Sequence, residues 1–126
     1  MKRRSLIVVT LLILLMSRYS FGQNTGPSLP KVLFFFGLNV EADHALFAVD
    51  ALKFFTELAD KDGFQLDATT NWNDLNEEHL KQYKLVVWLN GFPNNDAQRK
   101  VFEQYMEGGG AWLGFHVAAY NDKNLH

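Results

Sequence analysis

The sequence predicts an α/β protein built on a parallel, doubly wound sheet of about four strands. Two observations carry this. Val32-Leu33-Phe34-Phe35-Phe36 and Leu85-Val86-Val87-Trp88-Leu89 are unbroken apolar runs, the pattern of strands covered on both faces. Segments of helical period and further short strands alternate with them, and strand–helix alternation implies right-handed crossovers in a parallel sheet. No internal repeat is evident.

The first strand, 32–36, is closed by Gly37. From about Asp43 to Asp62 the period is helical, with Leu46, Phe47, Val49, Phe54 and Leu58 expected on one broad apolar stripe and Gly63 as the C-terminal stop. Residues 64–69 alternate and read as an edge strand. Asn76 followed by Glu77 and Glu78 suits a short helix start, with acids at the positive end of the dipole. The second apolar strand, 85–89, leads into the turn Asn90-Gly91-Phe92-Pro93. Asn95 is placed to cap the next helix, with Gln98 as its capping-box partner. Val101, Phe102, Tyr105 and Met106 form that helix's expected buried stripe, Gly108-Gly109-Gly110 ends it, and 111–115 is the last strand.

Ahead of this domain lies an address. Lys2-Arg3-Arg4 precedes an apolar run of 11 residues, Leu6 to Met16, well short of the about 20 a spanning helix needs. Ser20-Phe21-Gly22 offers small residues for cleavage before Gln23, so 1–22 reads as a signal peptide or, uncleaved, an N-terminal tether. Residues 23–30 are a linker, and the domain runs 31–126. The expected location is secreted or periplasmic, with membrane contact only through the leader.

Four of the 12 basic residues lie in the first 18 positions, leaving 8 to face all 14 acidic ones. Nucleic acid is therefore excluded as an expected partner, since phosphate binding needs clustered positive charge. With no cysteine, disulfides, thiolate zinc sites and a cysteine nucleophile are excluded for this chain.

In a doubly wound sheet ligands sit beyond the carboxyl ends of the strands, which nominates loops 37–44, 70–75 and 90–94 and the segment from His116 onward. His44 and His116 both fall there. Each imidazole either faces a ligand, as an acid, base or metal donor, or serves as a local backbone partner. His44 and His116 are 72 residues apart; with Asp43 or Glu41 they offer donors suited to zinc or manganese, yet no metal or cofactor is specified. Trp72 offers a face for stacking on a sugar ring or packs in its loop. Asn90 either donates to a ligand or sets its turn. No carboxylate pair has the look of a glycosidase dyad.

The run Gly109-Gly110-Ala111-Trp112-Leu113-Gly114-Phe115-His116-Val117-Ala118-Ala119 resembles the ThuA-like (trehalose-utilisation) family. Lys31-Val32-Leu33-Phe34, Asp43-His44, Val86-Val87-Trp88-Leu89-Asn90 and the helix Gln98 to Tyr105 support the resemblance, which covers about 31–124. It implies a flavodoxin-type fold of the class I glutamine amidotransferase-like kind. There the nucleophilic cysteine occupies a sharp strand-to-helix elbow; here Gly114-Phe115-His116-Val117-Ala118 puts histidine in its place, so glutamine hydrolysis through a thioester is excluded. Asn90-Gly91 matches the turn that supplies oxyanion-binding amides. The family's sheet continues past the elbow, so the domain is expected to be incomplete at its C-terminus. An open strand edge there invites association, including homo-oligomers.

The resemblance implies a small-molecule carbohydrate as partner, trehalose-like or an oxidised sugar; from their positions, His116 is the expected catalytic residue and His44, Asn90, Gly91 and Trp72 the expected substrate-binding residues. A histidine-based isomerase or hydrolase is the expected activity. The alternatives are a non-catalytic carbohydrate-binding or assembly module, and an inactive fragment.

Overall fold

The computed structural model describes residues 27–119; the expected leader, 1–22, lies outside the described residues. In chain order the elements are β1 (Lys31–Phe35), α1 (Ala42–Asp62), β2 (Gln65–Thr69), a 3₁₀ turn Trp72–Asp74, α2 (Glu77–Leu80), β3 (Leu85–Trp88), α3 (Asp96–Glu107), β4 (Ala111–Gly114) and a 3₁₀ turn His116–Ala119. The four strands form one sheet in the order β2-β1-β3-β4, and every pairing is parallel.

β1 and β3 are the centre because nothing along them is polar after Lys31. Alternate residues of a strand face opposite sides, so Leu33, Phe35, Val86 and Trp88 build one core with Leu75, Leu80 and Tyr83, closed by Val101, Phe102 and Tyr105 of α3. Val32, Phe34, Val87 and Leu89 build the other against Ala48, Ala51, Leu52 and Phe55 of α1.

The face that α1 buries differs from the expected stripe. Ala48, Ala51 and Ala59 are its buried residues, whereas Leu46, Phe47, Val49 and Phe54 are exposed. The physical reason lies in the partner surface. β1 already supplies bulk in Phe34, whose ring lies 5.0 Å from Phe55. A helix meeting such a surface at close-packed density presents small side chains, and alanine spacing carries no strong hydropathy signal. Met106, expected in the buried stripe of α3, is likewise exposed.

The helix ends follow local chemistry. Gly63 caps α1 in the left-handed region, φ 76°, a conformation glycine adopts without steric cost. Asn76 and Asn95 each accept a backbone N–H three residues on, from His79 and Gln98, both at 3.0 Å. Gln98 returns its Oε1 to the N–H of Asn94 at 2.7 Å, one residue upstream of the capping-box partner expected at Asn95.

At the amino end of the sheet the Tyr83 hydroxyl donates to Asp67 at 2.8 Å, and Lys31 Nζ lies 3.4 Å from the same carboxylate. Burial first, then the Asp67 hydrogen bond and charge, push Tyr83 up to about 12; burial also raises Tyr105. A phenol that holds its proton more tightly folded than unfolded stabilises the protein fully below the unfolded value, near 10. That stability is lost as pH rises towards 12. The expected outcome is that melting temperature falls steeply above pH 10, and that Tyr83→Phe flattens this fall while costing about 1 kcal/mol at neutral pH. Thermal melts of both proteins across pH 7–12 check it, and parallel alkaline curves would count against it.

Candidate functional site

The chain leaves β1 for α1 on one face of the sheet and leaves β3 for α3 on the other. Adjacent parallel strands whose successors diverge in this way leave a crevice at their carboxyl ends, the switch point of a doubly wound sheet. The loops lining it are 36–41, 89–95 and the segment after β4.

Asn90 lies at the bottom of this crevice, 2% exposed. Its Oδ1 accepts from the N–H of Gly37 at 2.7 Å, and its Nδ2 donates to the carbonyls of Gly37 at 2.9 Å and His44 at 3.0 Å. Both amide protons and the carbonyl oxygen are therefore engaged by backbone. A Cβ at Gly37 would meet Asn90 Oδ1 at an ordinary 3.7 Å and crowd only Val40 Cγ1, at 3.2 Å.

His44 sits in the first turn of α1. Its backbone N–H donates to Asp43 Oδ1 at 2.9 Å, while its Nδ1 lies 3.3 Å from Glu41 Oε2. The exposed carboxylate is an electrostatic neighbour of Nδ1, within reach of an ion pair when the ring is protonated.

His116 follows β4, whose ladder runs one residue past the strand through Phe115 N–H to the Trp88 carbonyl at 3.0 Å. The Phe115 ring packs between Phe47 and Phe55 of α1, with centroids at 5.4 Å and 6.3 Å. His116 itself is exposed and adopts φ 38°, the only non-glycine residue with positive φ among the described residues. Two residues earlier Gly114 leaves room for the Trp112 ring, which a Cβ there would strike. The strand thus ends in a sharp, strained bend that lifts the imidazole outward. Its ring centroid lies 5.4 Å from that of His44, tilted by 45°. Residues 72 apart in sequence are brought side by side.

The other candidates fall differently. Trp72 stacks on Phe35 at 4.9 Å and 25° and meets Trp88 edge-on at 5.6 Å, so its ring serves the core beneath the crevice. Gly91 lies against it: a Cβ would come within 3.1 Å of Trp72 Cζ2. One nitrogen of His44 and carboxylate oxygens of Glu41 and Asp43 all lie within 4.8 Å of one another, a donor set of the kind that holds a divalent ion; His116 is not one of that set. Asn90 and Glu41 were both named from the sequence, as a ligand donor or turn residue and as a metal donor, but their placement around His44 was not. Glu41 had a weak signal, its i,i+3 spacing to His44 at a helix start; Asn90 had none, since its partners are 46 and 53 residues away. A cavity of about 510 Å³ lies at the opposite, amino end of the sheet between α2 and α3, lined by Leu80, Tyr83, Lys84, Val101 and Tyr105 among others, away from both imidazoles.

Fold and site together define a doubly wound α/β protein of flavodoxin-type strand order, with a histidine on the strained elbow after β4. The family model for trehalose utilisation, ThuA, matches residues 31–125, and the chain belongs to that family. It is similar to the crystal structure of a ThuA-like protein from Bacteroides uniformis ATCC 8492, at 45% identity and a TM-score of 0.73, over 83% of this chain and 43% of that one. The chain thus spans less than half of that structure's length. No curated protein matches.

Left-handed backbone costs a β-carbon-bearing residue about 1–2 kcal/mol that glycine avoids. His116→Gly is therefore expected to be more stable than His116→Ala by about 1 kcal/mol, the reverse of the order in a helix or strand interior. Urea denaturation of the two variants measures this. Equal midpoints, or a less stable glycine variant, would show that the elbow is unstrained.

Proposed function

We propose that this chain supplies the imidazole pair of an exported carbohydrate-utilisation protein, which moves a proton on a neutral, trehalose-like or oxidised sugar. The observation that carries the proposal is the approach of the His44 and His116 rings to 5.4 Å at the switch-point crevice. Membership of the trehalose-utilisation family supports the substrate class. The basic Lys2-Arg3-Arg4 followed by the short apolar run from Leu6 to Met16 supports export to the periplasm or beyond.

The chemistry follows from the geometry. Glu41, 3.3 Å from Nδ1, favours the proton on that nitrogen, and in this reading Nε2 acts as the general base. His116, lifted on its bend, acts as the opposed donor. A base that takes the proton from a sugar carbon while the acid protonates the neighbouring carbonyl oxygen serves isomerisation of an oxidised sugar. A base that takes a proton from water as it attacks the anomeric carbon, while the acid protonates the departing glycosidic oxygen, serves hydrolysis. Each group contributes up to about 10²–10⁴-fold. Glutamine hydrolysis is outside this chain's reach, because the elbow carries no thiol. Carboxylates rather than lysines flank His44, which suits a ligand without phosphate.

His116→Gln and His44→Gln in the full-length protein should each lower turnover of trehalose or its oxidised derivative by at least 10²-fold, with melting temperature within a few degrees of wild type. Product formation by chromatography and sugar-dependent thermal shifts measure it. Sugar-dependent stabilisation with no product in wild type would replace catalysis by a binding role; undiminished turnover in His116→Gln would overturn the proposal.

A further inference from the structure

The geometry points to Asn90 as a positioning residue: buried at the end of β3, it hydrogen-bonds the Gly37 and His44 backbone and thereby sets the His44 ring opposite His116. The functional meaning of that placement rests on the proposed imidazole pair; the placement itself does not.

Three features distinguish this from an ordinary turn asparagine. The first is reach. A turn residue bonds its own neighbours, two or three positions away, whereas Asn90 bonds across 53 residues to Gly37 and 46 to His44. The second is completeness. Oδ1 accepts and both Nδ2 protons donate, to three separate backbone groups, at 2% exposure. A buried amide so engaged fixes geometry strongly, because any displacement leaves an unpaired polar group. The third is direction. β3 is the strand that hydrogen-bonds both β1 and β4. Its Trp88 carbonyl holds Phe115 N–H, next to His116, and its Leu89 N–H holds the Phe35 carbonyl. Asn90 is the next residue, so one short stretch of β3 references both imidazoles: His116 through the ladder to β4, and His44 through the Asn90 amide.

The segment it holds would otherwise be loosely determined. Residues 38–41 are exposed, and the first turn of α1 begins at Glu41, which makes no side-chain cap. The charged and titratable groups around His44 are Glu41 and Asp43 on its own segment and His116 from the end of β4. None of these ties the His44 backbone to the sheet.

The test is nuclear magnetic resonance on the full-length protein with labelled histidines, without sugar. Wild type should show a ring-to-ring Overhauser contact between His44 and His116, and Asn90→Asp, which replaces both donated protons by an acceptor, should lose it. His79, on α2 beside Tyr83 at 5.2 Å, is the internal control and should not shift. Retention of the contact in a folded variant, or its loss together with a displaced His79, would overturn the positioning role. Should Asn90→Asp fail to fold, Asn90→Ser serves in its place, and wild-type amide exchange is the second measurement: the Gly37 amide, bonded to Oδ1, should exchange as slowly as those of β3, and fast exchange would overturn the inference. Sugar turnover by these variants is read separately. Loss of the ring contact with turnover intact would leave Asn90 as the positioning residue and bring down the proposed imidazole chemistry instead.

Discussion

The structure depends on β1 and β3 lying side by side, buried on both faces. Leu33, Phe34, Phe35, Val86 and Val87 are all 1% exposed or less, and no side chain on either strand beyond Lys31 can hydrogen-bond except the Trp88 indole. Two such strands have to be covered from both sides. The chain meets this by sending α1 to one face and α3 to the other. That division creates the crevice, because the two connections part above the shared ladder. The site is thus a by-product of covering an apolar pair of strands, and its polar groups begin where the apolar run stops, at Gly37 and Asn90.

The carboxyl end of the sheet then holds a chain of dependencies. Asn90 is one residue beyond the last β3–β1 bond, between Leu89 and Phe35, so its amide emerges at a height fixed by the strand pairing. His116 is one residue beyond the last β3–β4 bond, between Phe115 and Trp88, and is fixed in the same way. Phe115 anchors the elbow from below through Phe47 and Phe55, which explains why Phe47, half out of the core, is nevertheless well placed. Packing supplies the energy that holds His116 at φ 38°, a conformation its own backbone disfavours. Strain of this kind is concentrated where a side chain has to be aimed.

Most of the fold was legible because the features that specify it are local. The apolar runs, the Asn76 and Asn95 caps and the Gly63 stop each act within a few residues, and each appears where the sequence placed it. The exposed face of α1 was not legible for a physical reason. Leu46, Val49 and Phe54 are more hydrophobic than Ala48 and Ala51, yet the sheet has no room for them, and room is a property of Phe34 and Phe55 rather than of the helix. The site divides in the same way. His44 and His116 could be placed at strand ends from topology alone. Their separation of 5.4 Å and the turning of Asn90 towards backbone depend on contacts between distant segments, which no window of sequence contains.

Histidine on the elbow changes what the rest of the site has to do. A thiolate is a nucleophile whichever way it turns, because its charge sits on one atom. An imidazole has two distinct nitrogens, and which one carries the proton is decided by the neighbour that bonds the other. A histidine site therefore needs orienting groups that a cysteine site can lack. Here the orienting groups surround His44, through Glu41 at Nδ1 and Asn90 at the backbone, while His116 is oriented by its backbone bend and by the facing ring. That asymmetry separates the two histidines: one has a carboxylate beside its ring and a buried amide at its backbone, and the other stands exposed on a strained bend.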